Sequence, residues 1–123
     1  MKIHRNKTLA GLGLILLLSA GCAEAIEKDL TDKRATLLLP SNNAVLDTTT
    51  LTFAWQPQDD ALKYELQVVS PSFDSALVVW ADTNVINTSF QLTLTGGRYQ
   101  WRVRAFNNTS STPFSDPWGL VIH

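Results

Sequence analysis

The chain has 123 residues, with 10 basic and 11 acidic side chains and a formal net charge of −1. That length carries one domain with one core, and a slightly acidic balance argues against nucleic acid, which wants a basic face. Cys22 is the only cysteine, so an intramolecular disulfide is excluded.

Met1 to Thr8 carries Lys2, Arg5 and Lys7 and no acid, and Leu9 to Leu18 is an apolar run of Leu, Ile, Ala and Gly. Small residues follow, then Cys22. A basic start, a short apolar run and small residues before a cut site predict a secretory signal peptide over residues 1–21. The run is shorter than the about 20 apolar residues that span a bilayer. Leu18-Ser19-Ala20-Gly21-Cys22 resembles the lipobox of bacterial lipoproteins. It departs at one place: Ser19 stands where Leu is usual, with Leu18 one place further out.

The resemblance implies cleavage before Cys22 and acylation of its thiol, palmitate included, with the membrane as partner through that lipid. A free thiol or an intermolecular disulfide is the alternative. Each buried CH₂ of an acyl chain contributes about 0.8 kcal/mol, so several chains hold firmly. In such lipoproteins Asp after the Cys favours the inner membrane. Ala23 therefore implies the outer membrane of a Gram-negative cell, with the periplasmic or surface-exposed side left open. Cleavage also removes Lys2, Arg5 and Lys7, leaving seven basic against eleven acidic side chains and a net charge near −4. That disfavours nucleic acid further, and also electrostatic docking on anionic lipid.

Residues 22–34 read as the lipidated N-terminus and a polar tether. Ile26 and Leu30 are the only large apolar residues there, so it has little to bury and is expected to be solvated. A partner helix is the other reading, since its acids and bases fall at helical spacing.

From residue 35 the pattern is β. Thr36–Leu39 reads as an edge strand, followed by a turn at Pro40–Asn43. Leu51–Trp55 alternates with Leu51, Phe53 and Trp55 inward, and Lys63–Val69 with Tyr64, Leu66 and Val68 inward. Ala76–Ala81 is another strand. Ser89–Thr95 turns Phe90, Leu92 and Leu94 inward, and Gly96-Gly97 makes the tight turn after it. Tyr99–Ala105 alternates without a slip: Tyr99, Trp101, Val103 and Ala105 on one side, Gln100, Arg102 and Arg104 on the other. Asn107–Ser111 is a polar hairpin loop and Trp118–Ile122 the last strand. Period-two alternation in short runs punctuated by turns predicts a seven-stranded antiparallel β-sandwich over residues 35–123. A closed barrel is the alternative. Trp55, Tyr64, Leu66, Leu92, Tyr99, Trp101 and Val103 are the predicted core.

Trp55 with Pro57, Tyr64 with Leu66 and Val68, Leu94 with the glycine pair and Tyr99, and the run YQWRVRAFN together resemble a fibronectin type III domain, of immunoglobulin-like fold. The resemblance covers Ala35 to Ile122. It implies that Trp55 fills the middle of the sandwich and that the Tyr99 hydroxyl reaches back to nearby backbone. Trp101 departs from the commoner aliphatic residue. The opening LLLPSNNAVLDTTTLTFAW also resembles sandwich domains of surface lipoproteins serving glycan uptake in Bacteroidetes. Asp47-Thr48-Thr49 and Asp74-Ser75-Ala76 resemble O-glycosylation sites of exported proteins from that group.

Catalysis is not expected. His4 leaves with the signal peptide, His123 is the last residue, and the one Cys is the lipidation site, so histidine-based triads and His/Cys metal sites are excluded. Asp59 and Asp60 are neighbours on a loop, whereas acid/base carboxylates face each other across about 5–9 Å. They read as solvated; a calcium site shared with Asp47 is the other reading. No phosphate-binding loop and no cofactor are expected.

What remains is surface. In the family resembled, the strands carrying Glu65 and Gln67 and carrying Arg102 and Arg104 lie side by side. These residues read as cross-strand pairs on a wet face or, alternatively, as an anion site. Trp80, Phe106 and Trp118 join that face as an aromatic strip or, alternatively, Trp80 and Trp118 cover the sandwich edges. The candidate binding face is Trp80, Arg102, Arg104 and Trp118. The expected role is a membrane-anchored, non-catalytic interaction or structural module of the cell envelope with a protein or glycan partner. The alternative is a carbohydrate-binding accessory protein, which a coplanar exposed aromatic pair would favour.

Overall fold

The computed structural model describes residues 27–123; the expected signal peptide, Cys22 and the first part of the expected tether lie outside the described residues. Eight strands follow in chain order: β1 (Leu37–Leu39), β2 (Ala44–Leu46), β3 (Thr50–Trp55), β4 (Lys63–Ser70), β5 (Val78–Val85), β6 (Ser89–Thr93), β7 (Gly97–Phe106) and β8 (Trp118–Ile122). They form two sheets, ordered β1-β3-β6 and β2-β8-β7-β4-β5. The predicted sandwich is therefore present.

Its core is built from the alternating runs. Leu51, Phe53 and Trp55 of β3 meet Tyr64, Leu66 and Val68 of β4 and Tyr99, Trp101, Val103 and Ala105 of β7, all buried. Phe53 meets Trp101 edge-on at 5.1 Å between ring centroids, and Trp55 meets Tyr64 at 5.7 Å. Such geometry sets the positive edge of one ring against the negative face of the other. The Tyr99 hydroxyl donates to the Thr95 carbonyl, as the resemblance implied. Tyr64 makes a second corner, where its hydroxyl accepts from the Gln58 N–H at 2.9 Å.

Several expectations are corrected. The strands number eight, not seven. The added β2 pairs in parallel with β8, Ala44 opposite Leu120 and Leu46 opposite Ile122, so the sandwich is not wholly antiparallel. β5 runs from Val78 to Val85 instead of Ala76 to Ala81: its polar second half is held by pairing to β4, not by burial. Leu92 is only half-buried because β6 is the edge of the smaller sheet, and Leu94 takes the sealed position. Over the described part of the tether, Lys28, Asp29 and residues 31–34 are exposed, and Leu30 is the exception to the solvated reading. Leu30 is 1% exposed, its N–H donates to the Ser110 hydroxyl at 3.0 Å, and the Lys28 carbonyl accepts from the Asn107 amide at 2.9 Å.

Beyond β8, the upper edge of β7 is completed differently. Thr112 and Ser115 are buried, and each exchanges two bonds with β7. Their N–H groups donate to the carbonyls of Ala105 and Val103. Their hydroxyls accept from the Ala105 and Val103 N–H groups at 3.0 and 3.1 Å. Side-chain oxygens thus take the place of strand carbonyls, which keeps buried N–H groups paired. This arrangement carries residues 112–115 alongside β7 and sets Phe114 over the outer face.

Candidate binding face

The outer face of the larger sheet carries the even-numbered residues of β7. Arg104 lies opposite Glu65 and Arg102 opposite Gln67. The Arg104 guanidinium pairs with the Glu65 carboxylate at 2.7 Å, and Arg102 Nε donates to Gln67 Oε1 at 2.8 Å. The Gln67 amide in turn donates to Asp82 at 3.3 Å. Burial first, and then the neighbouring Asp82 carboxyl, push the Glu65 carboxyl above its ordinary range; Arg104 pulls the other way and does not prevail.

Two loops close over this row. The Phe73 N–H donates to the Gln100 side chain at 2.9 Å, which lays the β4–β5 loop on the sheet. Phe73 and Phe114 then place their rings 4.0 and 4.3 Å from the Arg102 guanidinium carbon, and Phe114 also lies 4.8 Å from that of Arg104. A guanidinium is planar and weakly hydrated, so it stacks on aromatic faces. Sequence reasoning missed Phe73 and Phe114. The available signal was a large apolar side chain in an otherwise polar loop, which needs something to cover.

The structure does not bring the four candidates together. Arg102 and Arg104 are on the outer face. Trp80 and Trp118 turn to the core side and are half-buried against it. The register of β5 against β4 shifts between Val68 and Val69, where Val68 pairs with Ala81 and Val69 with Val79. The extra residue is Trp80, and a bulge of this kind re-aims a side chain. Its ring meets Tyr99 edge-on at 5.8 Å, and its indole N–H donates to the Ser70 hydroxyl at 3.1 Å. Trp118 meets Trp101 at 6.1 Å. They cover the sandwich margins, and no coplanar aromatic strip forms from them.

Asp59 and Asp60 precede β4 near the Phe106 end of β7. Asp47 follows β2 near its Gly97 end. The calcium reading is corrected accordingly, and no group of three His, Cys, Asp or Glu side chains converges among the described residues.

Two other surface features stand out. A groove of about 480 Å³ opens on the outer face between Ser72 and Asn43, with Gln100 and Gly119 in its lining and Arg98 beside them. The second feature is the outer edge of β5, which pairs with no other strand among the described residues. Leu77 is 84% exposed and Val79 63%, with Val78 also exposed between them.

Comparison with known proteins bears on the fold. No family model matches the chain, and no curated protein matches it. Among solved structures, a fibronectin type III domain from a human protein aligns with a TM-score of 0.55 at 16% identity, covering 80% of each chain. The fibronectin type III domain of the human collagen alpha-1(XX) chain aligns with a TM-score of 0.53 at 17% identity, over 71% of this chain and 80% of that one. A fibronectin type III-like protein from Clostridium thermocellum aligns with a TM-score of 0.51 at 24% identity, over 68% of this chain and 88% of that one. With its two-sheet order and the Tyr99 corner, the described chain has the fibronectin type III fold.

Proposed function

We propose that this protein is a lipid-anchored, non-catalytic binding module of the cell envelope, held through Cys22 in the outer membrane. The lipobox-like run before Cys22 supports the anchor. The observation that carries the binding role is the outer edge of β5. An edge strand presents unpaired backbone groups, and natural sheets blunt such edges with charges and bulges. Here Asp82 and the Trp80 bulge guard the middle of β5, while Leu77, Val78 and Val79 are left apolar and exposed. That short stretch suits an extended segment of a partner protein, added as a further strand with its apolar side chains on Leu77 and Val79.

Arg102 and Arg104 support a different role. Their charges are engaged by Glu65, Gln67 and two phenylalanines, so the row holds two loops to the sheet. A coplanar exposed aromatic pair would favour the glycan reading, and Trp80 and Trp118 face the core instead.

A photo-crosslinker at Leu77, in protein on its own membranes, should give a discrete adduct that Val79→Lys abolishes. The same probe at Asp47 should give none. Equal adducts from both positions, or an adduct indifferent to Val79→Lys, would sink the edge as the contact. The intact mass of protein taken from those membranes reads the anchor: an unmodified Cys22 would refute it.

A further inference from the structure

The described chain begins docked at one end of the sandwich. Asn107 is buried and holds three segments together there. Its amide N–H donates to the carbonyls of Lys28 and Asp60, at 2.9 and 3.3 Å, and its side-chain oxygen accepts from the Thr109 and Ser110 N–H groups. Leu30 is buried beside Ser110. Glu27 and Lys28 line a cleft with Asp60, Ala61 and Leu62. Fixed in this way, residues 27–30 belong to the loop end of the domain at Phe106.

Only four residues lie between Cys22 and Glu27, which makes five Cα-to-Cα steps. Fully extended, they reach at most about 18 Å. β7 runs the length of the domain in ten residues, roughly 33 Å at the usual strand rise. If the Gly97 end rested on the membrane, Glu27 would stand higher than its connection to the lipid can span. The Phe106 end also displays two exposed apolar side chains. Leu62 is 52% exposed, with its N–H on the Phe106 carbonyl. Ile86, 79% exposed, follows Val85, which pairs with Tyr64 at the same end. Exposed apolar groups beside a lipid attachment can enter the interface and gain from leaving water.

We propose that the lipidated domain stands with its Phe106-end loops against the membrane, Leu62 and Ile86 touching the lipid surface. This rests on the Cys22 anchor proposed above. The Gly97 end, the groove beside Arg98 and the Leu77–Val79 edge then point away from the bilayer, where a partner can reach them.

Because Cys22 is the only thiol, orientation can be tested apart from acylation in the cell. The chain from Cys22 onward contains every described residue and can be coupled to a maleimide lipid in phosphatidylcholine nanodiscs. Lipids bearing a paramagnetic label should then broaden the NMR signals of the Leu62, Ile86 and Asn108 amides. Those of Asp47, Thr95 and His123 should match the uncoupled protein. Equal broadening at both ends, or broadening strongest at Thr95, overturns the proposal. Leu62→Asp with Ile86→Asp changes two exposed positions and should weaken the broadening at Asn108; unchanged broadening overturns the lipid contact. An unmodified Cys22 in protein from native membranes overturns the anchor itself, and with it this orientation in the cell, whatever the nanodiscs show.

Discussion

Trp101 sits where the two sheets meet, fully buried, with Phe53 on one edge and Trp118 on another. Emptying such a site removes both the transfer free energy of the ring and the contacts of its neighbours. Trp101→Ala should therefore lower stability by about 3–5 kcal/mol, measured by chemical denaturation. Domains of this size are commonly only about 5–15 kcal/mol stable, so the variant stands close to unfolding. A loss under about 1 kcal/mol would mean the core closes over the gap. Glu65 makes a subtler case. Its folded-state carboxyl is pushed up by burial and by Asp82 despite Arg104. The folded chain thus keeps this proton at a pH where the unfolded chain has lost it. The stability linked to it is full below the unfolded pKa and is lost as pH rises through the folded one. Wild type should gain on Glu65→Gln as pH falls through the carboxylate range. A gap that narrows or stays constant would contradict that sign.

At the scale of elements, legibility followed burial. β3, β4 and β7 could be read because one face of each is sealed, and a one-residue slip would turn every apolar side chain to water. β2 could not. It is three residues long, only half-buried, and held by groups distant in the chain, such as the Asn42 side chain accepting from the Gly119 N–H at 2.9 Å. The inward turn of Trp80 depends on a bulge, which leaves no mark in the alternation of β5. Arg102 could be placed on the outer face, but not beneath Phe73 and Phe114, because loop paths are set by bonds such as Phe73 to Gln100. Leu30 was missed because its pocket is made about Ser110, eighty residues along the chain. The hydroxyl-completed edge of β7 makes its own prediction. Thr112→Val keeps the shape but leaves the buried Ala105 N–H without its acceptor, which should cost about 1–3 kcal/mol. Faster amide exchange at Ala105, with β4 unaffected, would localise the loss; an unchanged stability would show the hydroxyl to be dispensable.

For the molecule as a whole, the fold was legible and the binding surface much less so. Cores repeat a rule of alternation, whereas the outer edge of β5 and the docked Glu27–Leu30 segment arise only when distant stretches meet. The parallel pairing of β2 with β8 has a mechanical consequence. Tension between residue 27 and residue 123 pulls β2 from its leading end and β8 from its trailing end. In a parallel pair those pulls are opposed along the strand axes, so the ladder is loaded in shear and its bonds share the force. An antiparallel pair loaded at one end would instead open one bond after another. The protein should therefore resist stretching along its chain with a single sharp rupture, and single-molecule extension should show that peak fall with Leu46→Pro, because Leu46 is the residue whose backbone faces β8, its carbonyl accepting from the His123 N–H.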